Sequence, residues 1–408
     1  MKLNSNLNFF WIYYSAMSLL NSDVKRGVFI IYILSIGINN TETGFLQTSL
    51  FIAMMMGELP SGFLADKYGR KLALICSFIF MILYGLGYLL FSTFTPFLIM
   101  FILNGLAFSL QSGSDQALLY DYLKANGSEK SFIKINSREK AISALAISAS
   151  MALGGWLKDE TSWQFLFLVF IFTKVVGLLL TCFLTEAKPS EISLDQRDDI
   201  SLTEKNSVRH FFLSKKGLSL LPLFLGFAIY EAVLTPTYIY GQALLNTADF
   251  SLSAIGLAYA AIELTNAALY DFSDFISKKI KFTHLVIITW LILSASIFLL
   301  PVSGDFMIFM FYSTLCLPSF VDMIYMDYVN NHYPSLIRAS CISVNSFLSS
   351  ALISLSYVTY GFFIEKEGIS LIFQCSSILV LAALPLALYG LFQLNSDGNQ
   401  QKKPTLSQ

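Results

Sequence analysis

The chain has 408 residues, of which 55% are hydrophobic and only 13% charged, with mean hydropathy +0.63. Soluble chains carry about 25% charged residues, so this one has too little charge for an aqueous surface. That excludes a soluble enzyme, a nucleic-acid binder and a disulfide-built secreted domain, and a net charge of −1 selects no charged partner. An all-α integral membrane protein in contact with the lipid bilayer is expected.

About 20 mostly apolar residues cross a bilayer as a helix. Twelve stretches meet that length: 9–37, 44–64, 72–92, 96–119, 139–157, 163–184, 218–243, 252–276, 283–301, 306–328, 339–363 and 369–393. Met1 to Phe10 lacks a basic region and cleavage site, so no removable signal peptide is expected. The polar stretch 185–215 reads as a cytoplasmic linker between an N-terminal half (1–184) and a C-terminal half (216–393), with 394–408 a cytoplasmic tail. If both termini are cytoplasmic, only Lys158 and Lys366 of the 26 Lys and Arg lie outside. Basic residues concentrate on cytoplasmic loops, so that orientation in a bacterial inner membrane is expected.

Span one is interrupted by Asn21-Ser-Asp23-Val-Lys25-Arg26-Gly27. A continuous helix places Asp23 and Arg26 on one face, where they can pair, and turns Lys25 away. The alternative, a helix ending at Leu20 and a charged loop, leaves neither flank long enough to cross. Ionisable groups in spans are costly and need a partner, water or a function. The other cavity and proton-coupling candidates are Lys174, Glu231, Glu263 and Asp322. Burial raises the pKa of a carboxyl, which suits a proton carrier; a fixed ion pair with Lys25, Arg26 or Lys174 is the alternative. Asp115, Asp271 and Asp327 lie toward cytoplasmic ends. Tyr13, Tyr14, Tyr230, Tyr238, Tyr240 and Tyr325 either line a cavity or face lipid and core.

The five cysteines lie inside apolar stretches without ligand spacing, and the three histidines lie at span ends, so neither a metal nor a cofactor is expected. No G-x-x-x-x-G-K-[ST] phosphate loop is present in the sequence. No catalytic constellation appears either, so enzyme activity is not expected.

Gly62-Phe-Leu-Ala-Asp66-Lys-Tyr-Gly69-Arg70-Lys71, between spans two and three, resembles the loop signature of the major facilitator superfamily. Glu58-Leu-Pro60-Ser-Gly62 upstream is similar to a motif of its drug-efflux-like members, as are Gly113-Ser114-x-x-Ala117-x-x-x-Asp121 and Pro334-x-x-x-Arg338. The resemblance implies twelve helices in two six-helix pseudo-repeats around a central cavity. It also implies a conformational latch in which Asp66 faces the start of span eleven and Arg70 pairs with Asp121, or else with Asp115. Asp274-x-x-Ser277-Lys278-Lys279 repeats the acid–base spacing of Asp66-x-x-Gly69-Arg70-Lys71 after span eight, which fits a duplicated chain.

Two features depart from the proton-driven exporters. Gly154-Gly155 are present on span five, but no Pro or earlier Gly stands in 148–153. Phe101 stands where an arginine often precedes Gly105 by four residues. The function this implies is proton-coupled export of a toxic small molecule, a drug or peptide-type antibiotic, by alternating access and by a monomer. Uptake of a small nutrient on the same fold is the alternative.

Overall fold

The computed structural model describes residues 2–186, 210–334 and 337–401, with side chains left undescribed at 2–7, 215–216, 270–274, 277, 319–320, 339–340 and 395–401. Most of the expected linker 185–215, the end of the tail, and the side chains of Asp271, Asp274 and Ser277 therefore lie outside the described residues.

Every regular element among the described residues is helical. This is what lipid demands, since a helix satisfies its backbone hydrogen bonds internally. The elements are α1 (Lys2–Asn21), α2 (Phe29–Ser35), α3 (Asn40–Tyr68), α4 (Arg70–Leu90), α5 (Phe94–Gln111), α6 (Ser114–Ala125), α7 (Phe132–Glu160) and α8 (Trp163–Cys182). They continue with α9 (Lys215–Thr247), α10 (Leu252–Lys279), α11 (Phe282–Leu299), α12 (Met307–Asn330), α13 (Arg338–Glu367) and α14 (Ile369–Gln401). Eleven helical stretches among the described residues are long and apolar enough to cross a membrane. The twelfth expected span is α1 and α2 together, and it is broken.

That break corrects the expectation of one helix over 9–37. Residues 22–28 leave the helix, with turns over 24–28 in which Arg26 N donates to Asp23 O and Val28 N to Lys25 O. Span four also bends: Gly113 adopts φ 76°, a left-handed conformation that a glycine takes without strain, between α5 and α6.

Two compact units account for the chain. The first comprises 1–190, 239–268 and 357–369; the second comprises 191–238, 269–356 and 370–408. In the first unit α1 packs on α7 and α8, and α4 on α5 and α8. Its core includes Phe9 stacked on Tyr122 at 3.4 Å between ring centroids, with Tyr13, Leu74, Phe78 and Leu118. Small residues set the closest approaches, as is usual between helices in lipid. A Cβ on Gly154 would run into the Val24 carbonyl, and one on Gly155 into the Leu252 carbonyl. In the second unit Tyr230 stacks on Trp290 at 4.8 Å and Phe227 on Tyr325 at 3.8 Å. There α9 and α14 touch where a Cβ on Gly226 would come within 2.9 Å of Ala387 Cβ.

Candidate functional site

The break in span one leaves backbone groups without helical partners inside a desolvated core, where an orphaned group costs about 1–3 kcal/mol. Each end is completed by a side chain from elsewhere. At the end of α1, Lys174 of α8, 1% exposed, donates from Nζ to the carbonyls of Leu19 (2.8 Å), Leu20 (2.8 Å) and Ser22 (2.5 Å). A cation at a helix C-terminus is also favoured by the helix dipole. At the start of α2, Gln242 Oε1 accepts from Ile30 N at 3.2 Å while its Nε2 donates to Arg26 O at 2.8 Å. Ser150 Oγ accepts from Asp23 N at 3.1 Å.

Asp23 finds its partner in Lys25, whose Nζ stands 2.6 Å from Oδ2 and whose N donates to Oδ1 at 3.1 Å. This corrects the expected Asp23–Arg26 pair with Lys25 turned away. In the turn that replaces the helix, the i,i+3 face no longer exists. Lys25 is 2% exposed and lies 4.3 Å from the Phe170 ring centroid, 4.5 Å from Tyr84 and 5.5 Å from Tyr88. Aromatic faces attract a desolvated cation. Asp23, 23% exposed, keeps one side open. A polar string continues from the break: Gln111 donates to Asn21, Asn21 to Ser143, and Ser143 to the buried Glu139, which Lys140 pairs at 3.3 Å.

At the loop signature, Gly69 has φ 109°, and a Cβ there would lie 2.7 Å from the Glu186 carboxylate. Glu186 accepts from the backbone N of Arg70, by a short bond, and from that of Lys71 at 3.3 Å. An acid thus sits at the N-terminus of α4, where the helix dipole favours it. Arg70 is held by Asp66 (Nη1 to Oδ1 2.8 Å) and, more loosely, by Asp121 (Nε to Oδ2 3.8 Å). Lys71 Nζ donates to Cys182 O at 2.7 Å. Asp115 is engaged by Lys140 at 3.2 Å. Gly62, by contrast, has no atom within 4 Å of where a Cβ would stand, so it makes no close approach here.

In the second unit Ser349 hydrogen-bonds the Glu231 carboxylate, and Asp322 lies close enough for the two acids to interact electrostatically. Asp322 Oδ1 and Tyr230 OH are buried without a hydrogen-bond partner among the described residues. Glu263 is half-buried on α10, in the stretch 239–268 that packs with the first unit.

The sequence reading missed the roles of Lys25, Glu139, Glu186 and Gln242. An acid placed just after the sixth span was the available signal for Glu186. For Gln242 there was none, because its partners are 212 and 216 residues away.

The family profile of the Major Facilitator Superfamily matches residues 6–357. The MFS-type transporter YxaM of Bacillus subtilis is 24% identical over 401 residues, covering 97% of this chain and 98% of that one. The "Probable 4-methylmuconolactone transporter" of Cupriavidus pinatubonensis is 27% identical over 160 residues, 39% of this chain and 37% of that protein. Among solved structures, a mutant of the nucleoside transporter NupG superposes with TM-score 0.79 at 14% identity, covering 94% of this chain and 99% of that one. A D-xylose-proton symporter gives 0.70 at 14% identity over 93% and 97%. Two broken-helix caps, a charged loop after the second span and a profile match across most of the chain agree: the protein belongs to the major facilitator superfamily and is a membrane transporter.

Proposed function

We propose that the chain exports a toxic small molecule, a drug or peptide-type antibiotic, in exchange for protons, by alternating access. It acts as a monomer in a bacterial inner membrane with both termini cytoplasmic. The observation that carries proton coupling is the pair Glu231 and Asp322, two half-buried carboxyls of the second unit near enough to feel each other's charge. Two like charges in a desolvated site do not ionise together readily, so such a pair tends to hold one proton. Taking up and releasing that proton is the chemistry a coupling site requires.

Export rather than uptake rests on Glu58-Leu-Pro60-Ser-Gly62 and the signature after it, which resemble efflux-like members. Gly62, Asp66, Gly69, Arg70, Lys71 and Asp121 form the conformational latch in this reading. Asp23, Arg26, Lys174, Glu231, Glu263 and Asp322 are the candidates for lining the cavity or coupling to protons. Uptake of a small organic nutrient is the second reading, favoured by the 160-residue similarity to a protein named for 4-methylmuconolactone transport.

Everted vesicles separate the two. A proton gradient, acid inside, should drive accumulation of a toxin first identified by a resistance panel on cells expressing the chain, with Asp66→Asn as the inactive control. Accumulation driven only in right-side-out vesicles would refute export.

A further inference from the structure

The break in span one is completed from two sides that differ in kind. Lys174 belongs to α8, within the first six spans, and travels with α1. Gln242 belongs to α9, the seventh span. Its side chain is fully buried and meets both a carbonyl of the break, Arg26 O, and the first turn of α2 at Ile30 N. For α2, which has no side-chain cap of its own, Gln242 plays the part of an N-cap.

Around this contact, on the side away from the Gly69 loop, the seal is built from backbone surfaces. Gly256 of α10 lies where a Cβ would come within 3.0 Å of the Gly155 Cα. Ser148 of α7 donates to Ala260 O at 2.9 Å, Tyr240 OH donates to Asn40 O at 3.0 Å, and Ser253 N donates to Asp159 at 2.8 Å. A Cβ on Gly44 or Gly361 would enter the carbonyls of Tyr357 and Asn40. In the expected orientation this is the outer side.

We propose that Gln242 is a positioning residue of the outer seal. Its amide satisfies the two backbone groups that the break exposes only while the outer ends of spans one and seven are together. Opening that side strips both partners from the break, so Gln242 biases the transporter toward the outer-closed state. This rests on the alternating-access reading above, but not on the direction of transport or on which acid carries the proton.

The test uses the full chain in lipid nanodiscs with spin labels at Ser92 and Thr247, exposed positions flanking this side. Electron–electron distances are measured in acid and in alkaline buffer. Gln242→Met keeps the length of the side chain and removes both hydrogen bonds. It should raise the separated population about tenfold or more, the size expected when one buried backbone group loses its partner. Gly155→Ala, which pushes a Cβ onto the Leu252 carbonyl of α10, should shift it the same way. Thr181→Val, a buried hydroxyl that bonds only its own helix at Gly177 O, should leave it unchanged.

Two populations in the unsubstituted chain with the same ratio in Gln242→Met would overturn the role of Gln242. One invariant distance in the unsubstituted chain and in every variant would overturn alternating access itself. A shift toward the closed population in Gln242→Met would show that the amide opposes the seal and would overturn the proposal.

Discussion

Replacing Lys174 by Met removes the ammonium that joins α8 to the end of α1. Leu19 O keeps a second donor in the Ser22 hydroxyl at 3.1 Å, whereas Leu20 O and Ser22 O lose the bonds at 2.8 and 2.5 Å. Two carbonyls at about 1–3 kcal/mol each give a gross loss of about 2–6 kcal/mol. Methionine also removes a buried charge, whose desolvation cost disappears with it, so the net loss expected is about 2–4 kcal/mol. Lys174→Arg should lose about half of that, because a planar guanidinium spreads its donors and cannot converge on three carbonyls as one ammonium does. The assay is denaturant or thermal unfolding of the purified full chain, followed by far-UV circular dichroism. A Lys174→Met protein within about 0.5 kcal/mol of the unsubstituted chain would show that α1 ends without help from Lys174, and the capping argument would fail.

Lys25→Met should cost more than Lys174→Met, about 3–5 kcal/mol, since it strands the Asp23 carboxylate; adding Asp23→Asn should recover most of the loss in the same unfolding assay. Charge reversal at Arg70 or Asp121 should abolish transport but change stability by less than about 1 kcal/mol, because both side chains are about a third exposed. The double swap should restore part of the transport rate; strictly additive losses would refute the pairing. Glu231→Gln and Asp322→Asn should each keep energy-independent substrate exchange across vesicle membranes while losing accumulation driven by a pH gradient. Normal accumulation by both variants would move the coupling group elsewhere.

The number of helices, their class and the charged loop were legible because hydropathy and motif spacing act locally. Most helix ends fall within a few residues of the expected ones; α4 runs Arg70–Leu90 where 72–92 was expected. Span one failed for a local reason as well. Its charged cluster was read on an ideal helix, where Asp23 and Arg26 share a face. Neither flank of a charged loop spans a bilayer alone, yet α1 and α2 cross as two pieces once Lys174 and Gln242 complete the ends between them. Those two side chains come from helices far along the chain, and no periodicity announces a lysine that binds carbonyls instead of an acid. The same applies to Glu186, which the loop signature needs and does not contain. The glycine pair of span five carried a usable signal: Gly154 and Gly155 are adjacent because two different backbones, at Val24 and Leu252, press on the same turn of α7.

A break of this kind is expensive to keep. An uninterrupted apolar helix across residues 21–28 would satisfy its own backbone and need neither a buried lysine, a buried ion pair nor a glutamine from the seventh span. Four separate groups, on α7, α8, α9 and the break itself, are instead committed to completing it. Irregular backbone at membrane depth is tolerated only where protein covers it or water reaches it, and here protein covers most of it, leaving Asp23 and Arg26 as the partly open charged groups. Three of the completing contacts lie within the first six spans and persist when those helices move as a body. The fourth, Gln242, does not. Gln242 is therefore a support of the break that conformational change can remove, and that lets a short irregular segment respond to whether the outer ends are together.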